Sequence, residues 1–167
     1  YERIASLIDN RKKYEWIAYL IIPLVVLLRV LYTCICVFSG AFLENWSLKF
    51  SHIWRVALFA DLIWLLPVLS KILYFGFQDN YTFGHLNSFY PYSLLALFKV
   101  EQLEPWMRYP MYTANLLEIA YIALLAYGIR LYAPERQGAV WRLVAISYGL
   151  GLLLWVSTVS FLTVYLS

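Results

Sequence analysis

Four long apolar runs separated by short polar breaks set the pattern of this chain, roughly Trp16 to Phe38, Ile53 to Phe77, Thr113 to Tyr132 and Val140 to Leu166. Each is near or above the about 20 residues a helix needs to cross about 30 Å of hydrocarbon. The pattern predicts an all-α fold: a polytopic transmembrane helical bundle with four spans, over residues 16–38, 53–77, 113–132 and 140–166, in one integral membrane domain covering 1–167. Pro23 and Pro67 fall inside spans, where neighbouring helices can satisfy the carbonyls that a kink frees.

The polar stretches add three smaller elements. Ile4, Leu7 and Ile8 share one helical face while Glu2, Arg3 and Asp9 lie elsewhere, so residues 1–13 read as an amphipathic, basic lead-in on the membrane surface. The long connection, 78–112, is rich in Asn, Pro and aromatic residues, and its apolar part, Tyr92 to Val100, is too short to cross. Pro91 after Ser88, followed by Leu94, Leu95, Leu97 and Phe98, predicts a short interfacial or re-entrant helix there. The turn from Pro134 to Gly138 joins the last two spans into an antiparallel hairpin.

Composition narrows the function classes. The chain of 167 residues is 63% hydrophobic and 14% charged, against about 25% charged in soluble domains. The loops are too small for a soluble catalytic domain. A net charge of +3, scattered along the chain, gives no nucleic-acid footprint. With the amino terminus inside, Arg3, Arg11, Lys12, Lys13, Lys99 and Arg108 face Lys49, Arg55, Arg130, Arg136 and Arg142 across the bilayer. The cluster beside the first span decides so even a distribution, giving cytoplasmic termini, as in a bacterial inner membrane. Asn45-Trp46-Ser47 and Asn80-Tyr81-Thr82 match the glycosylation pattern but fall on opposite sides of a four-span bundle. Trp16, Trp46, Trp54, Trp106 and Trp141 lie near span ends, as an aromatic belt does.

Four ionisable groups inside spans carry the candidate chemistry, because an unpaired one at mid-bilayer costs at least about 2.5 to 3.5 kcal/mol. At 1.5 Å per residue, Arg29 and Asp61 reach matching depths of about 20 and 18 Å from the inner face. Lys71 and Glu118 both lie near the inner face, with Asn115 and Ser70 as polar neighbours. Two ion pairs that fix helix register are expected, and a polar cavity for an ion, a proton or a lipid head group is the alternative. On the last span Ala145 with Gly149, and Ser147 with Gly151, are small residues four apart. They suit close packing within the bundle, or against a second copy or a partner.

Reactive constellations are missing from the pattern. Cys34 and Cys36 point about 200° apart on a helix, and His52 and His85 have no companion ligand at useful spacing, so neither a metal nor a cofactor is expected. No nucleophile elbow, HExxH or phosphate-binding loop occurs.

The stretches NLLEIAYIALLAYGIRLY and VWRLVAISYGLGLLLWVSTVSFLTVYL, preceded by SLKFSHIWRVALFADLIWLLPVLS, resemble spans of the Ypt-interacting protein membrane family, with Asn115, Glu118 and Gly128 as polar or small marks. The resemblance covers roughly Ser47 to Leu166. It implies a small multi-span protein with a cytoplasmic amino terminus, five spans being usual there, and in eukaryotic members a role in membrane traffic with small GTPases. The expected function is a non-catalytic membrane component that binds lipids and a protein partner or its own copy. A small permease or ion pathway is the alternative, and a lipid-modifying enzyme using Asp61 or Glu118 the third reading.

Overall fold

The computed structural model describes residues 2–77, 90–98 and 103–166, and the side chains from Ile17 onward except that of Ala18. Among them every regular element is helical: α1 (Glu2–Leu43), α2 (Phe50–Asp61), α3 (Leu65–Gly76), α4 (Pro105–Thr113), α5 (Leu116–Arg130) and α6 (Gln137–Leu166). A 3-10 turn, Leu62–Trp64, links α2 to α3 without a loop, and further 3-10 turns cover Leu94–Leu97 and Pro134–Arg136.

Three of these columns are long and apolar enough to cross a membrane: Tyr19–Leu43, Phe50–Gly76 and Pro134–Leu166. Their outward faces carry exposed Leu27, Leu28, Ile35, Leu69, Ile72, Leu153 and Leu154. Helices apolar on every side belong in lipid rather than water. The core is a narrower stripe, with Val30, Cys34, Val37 and Ala41 from α1, Ile53, Val56 and Ala60 from α2, Tyr121, Leu125 and Ile129 from α5, and Val140, Val144 and Tyr148 from α6. Steps of three and four residues keep each set on one helical face.

Neighbouring columns run antiparallel. Phe38 meets Phe50 at a ring-centroid distance of 5.7 Å, and His52 stacks on Tyr132 at 4.3 Å. Glycines set the closest approaches. A Cβ added to Gly128 would run into Val56, and one added to Gly151 would run into Cys36. In this arrangement α1 packs on α2 and α6, and α5 packs on α2 and α6.

The third column departs from the sequence expectation. Thr113 closes α4 instead of opening a span, and α5 has 15 residues, about 22 Å of helix. Asn115 causes the restart: its side chain accepts from the Glu118 amide at 2.7 Å, a helix N-cap in the middle of the apolar run. Both α4 and α5 lie along α6. Together they run from Pro105 to Arg130, about 39 Å at 1.5 Å per residue.

The short helix expected over Tyr92 to Val100 is a single 3-10 turn, begun by Ser93 rather than Pro91, with Val100 outside the described residues. This segment fills the gap between α4 and α5. Leu94 N–H donates to the Ala114 carbonyl at 3.0 Å, and Leu116 N–H donates to the Tyr92 carbonyl at 2.9 Å. Ser93 Oγ reaches the carbonyls of Met111 and Tyr112 at 2.9 and 3.2 Å. A helix broken inside an apolar bundle needs such partners, because no water is there to take the freed groups. The amphipathic lead-in is continuous with the first span, as α1 runs unbroken from Glu2 through Pro23 to Leu43.

Candidate functional site

Halfway along the bundle, α1, α2, α5 and α6 each contribute polar groups to one region. Arg29 Nη2 donates to Asp61 Oδ2 at 2.6 Å, and the Asp61 side chain is only 9% exposed. The guanidinium also lies over the Trp64 ring, 4.9 Å from its centroid. The turn into 3-10 geometry just after Asp61 sets Trp64 there. Arg29 Nε, Asp61 Oδ1 and Trp64 Nε1 are shielded without hydrogen-bond partners. A buried pair so incompletely satisfied adds little net stability.

Glu118 finds a different partner from the one the sequence suggested. Its carboxylate accepts a short hydrogen bond from Tyr148 Oη on α6, not an ion pair from Lys71. Counting depth from Thr113 puts Glu118 near the inner face, whereas α4 extends the column a further eight residues, to Pro105. Glu118 is therefore displaced to mid-height, while Lys71 lies nearer the end of α3. Tyr121 extends the polar region, donating to Thr33 Oγ1 at 3.2 Å with its ring 5.4 Å from that of Tyr148.

Lys71 and Asn115 meet elsewhere. Both line a cavity of about 220 Å³, open to the exterior, between α3 and the α4–α5 break. Tyr90, Tyr112 and Ser93 add polar groups to its wall, and Ser70 shares a 2.8 Å hydrogen bond with Tyr92 Oη that holds the 90–98 segment to α3.

The small residues of α6 divide into two faces. Ser147 and Gly151 pack against α1, Ser147 close to Gly40 and the Gly151 carbonyl accepting from Tyr32 Oη at 2.7 Å. Ala145 is exposed, and a Cβ on Gly149 would meet nothing within 4 Å. Cys34 and Cys36 are free thiols, the first buried in the core and the second against Gly151. No cluster of three metal-binding side chains occurs among the described residues. Trp46 is buried rather than set in a belt. Its Nε1 donates to Glu44 Oε2 at 3.0 Å, and Arg136 from the α5–α6 turn lies 5.4 Å over its ring.

Compared with family models, curated proteins and solved structures, the chain matches none.

Proposed function

We propose that this chain is a non-catalytic, multi-pass integral membrane protein that crosses the bilayer four times and works by holding a partner. That partner is a second copy of the chain or another membrane protein. The observation that carries the reading is the closure of the acids inside the bundle, Asp61 on Arg29 and Glu118 on Tyr148. A transport path needs ionisable groups that water and solute can reach, whereas a scaffold can hold them in dry pairs. Ala145 and Gly149 support docking on α6, because small residues four apart let a second backbone come close.

The third crossing in this reading is the α4–α5 column, broken at Ala114 and Asn115. Four crossings bring both termini to one side, and Arg11, Lys12 and Lys13 favour the cytoplasmic face, here of a bacterial inner membrane. A small permease or ion path is the second reading, favoured by the open cavity beside Lys71.

Cysteine accessibility separates the two. With Cys34 and Cys36 changed to alanine, single cysteines at Leu62, Leu65 and Leu117 should resist a membrane-impermeant maleimide from either side. Labelling from one side, blocked by a solute, would support the path and contradict the scaffold.

A further inference from the structure

Helices α2 and α5 meet along a seam, Val56 with Gly128 and His52 with Tyr132, and only one flank of it is covered. On α2, Ile53 and Ala57 are buried to one side, while Arg55 and Phe59 are exposed on the other. On α5, Leu125 and Ile129 are buried, while Leu124 and Leu131 are exposed. Because both helices are right-handed and they run antiparallel, the two open flanks border each other. We propose that this groove binds one anionic phospholipid, its phosphate held by Arg55 and an acyl chain lying along Phe59 and Leu124.

Charge complementarity is the first support. The end of the bundle formed by residues 44–55 and 130–142 carries Lys49, Arg55, Arg130, Arg136 and Arg142 against Glu44 and Glu135. Most of these bases are engaged: Arg142 lies 3.6 Å from Glu44, Arg136 lies over Trp46, and Arg130 is held by the Gln137 side-chain carbonyl at 2.6 and 2.9 Å. Arg55 is exposed and has no hydrogen-bond or ion-pair partner among the described residues. A guanidinium can engage a phosphate through two parallel N–H donors.

Depth is the second. The Phe50–Gly76 column has 27 residues, about 40 Å at 1.5 Å per residue, so a hydrocarbon layer of about 30 Å leaves about 5 Å at each end. Arg55 is five residues in from Phe50, about 8 Å. Its Cα therefore lies about 3 Å below the hydrocarbon boundary, a distance a long basic side chain spans to reach the phosphates. One turn deeper Phe59 is 75% exposed, and Leu124 across the groove is 43% exposed, so apolar surface begins where the acyl chains of a lipid do. The leaflet is the one at the carboxyl end of α1. The site uses α2 and α5 and is separate from the Ala145 and Gly149 face of α6, so it does not depend on the partner that face would hold.

A lipid phosphate and free phosphate present the same oxyanion, and the test separates them. The full chain in neutral detergent is unfolded thermally with phosphatidylglycerol, phosphatidylcholine or inorganic phosphate added. Phosphatidylglycerol should raise Tm saturably, by about 5 °C or more at a hundredfold excess over its dissociation constant. Phosphatidylcholine and inorganic phosphate should leave it unchanged. Arg55→Gln should abolish the shift, whereas Arg108→Gln, at an exposed base near the opposite end of the bundle, should keep it. Ser51→Glu, one turn before Arg55 on the same exposed face, gives that guanidinium a carboxylate at a favourable helical spacing, in a first turn that favours negative charge. It should fold as well as the wild type and still abolish the shift. The absence of a shift with phosphatidylglycerol, a shift that survives either variant, or an equal one with phosphatidylcholine overturns the proposal. An equal loss in Arg108→Gln overturns the groove as the place of binding, and an equal shift with inorganic phosphate overturns the lipid as the source of the anion.

Discussion

Arg29 and Asp61, 32 residues apart in sequence, meet at 2.6 Å in the middle of the bundle and tie α1 to α2. The contact sits beside the 3-10 turn that converts α2 into α3, so the ion pair and the irregularity occupy one level.

Breaking this pair should be costly from either side. Asp61→Asn or Arg29→Gln alone strands a charge, and each should destabilise the bundle by about 3 kcal/mol. The double variant should cost at least about 1 kcal/mol less than the sum. Reversible unfolding in mixed micelles measures both quantities.

Tyr148→Phe removes the donor that Glu118 uses and leaves a buried carboxylate without it. A loss of about 1.5 to 3 kcal/mol is expected. Glu118→Gln keeps an acceptor oxygen facing Tyr148 and should cost less. The ranking of the two by thermal unfolding checks the contact.

Glycines of α6 should respond in opposite ways. Gly151→Leu drives a side chain into Cys36 and should disrupt the α1–α6 contact. Gly149→Leu enters open space, so its effect on folding should stay within about 0.5 kcal/mol. On the partner-holding reading, the same Gly149→Leu weakens association measured by single-molecule photobleaching in bilayers.

Ser93→Ala should loosen the break between α4 and α5, since it frees the Met111 carbonyl and the Leu95 amide and leaves the Tyr112 carbonyl with the Asn115 side-chain amide alone. Hydrogen exchange over residues 111–117 should rise, with little change in the core of α2.

Depth along unbroken helices is readable from residue counting, which is why the sequence alone matches Arg29 with Asp61. The same counting fails for Glu118, because Thr113 closes α4 and does not start a span. A signal was present: Asn115 followed by Glu118 is an N-cap with an acidic residue three positions on, the mark of a new helix, and Pro105 after Glu104 marks another. Together these two signals mark α4 and carry Glu118 to the level of Tyr148. Which small face of α6 turns inward was not readable. Ala145 with Gly149 and Ser147 with Gly151 have the same spacing, and only the position of α1 distinguishes them.

A four-crossing bundle requires the α4–α5 column to act as a full crossing. Topology reporters fused after Asn45, Leu103 and Gln137 test this directly. Four crossings predict that Asn45 and Gln137 report one side of the membrane and Leu103 the other. If Leu103 and Gln137 report the same side, the column does not cross, and the four-crossing bundle is contradicted.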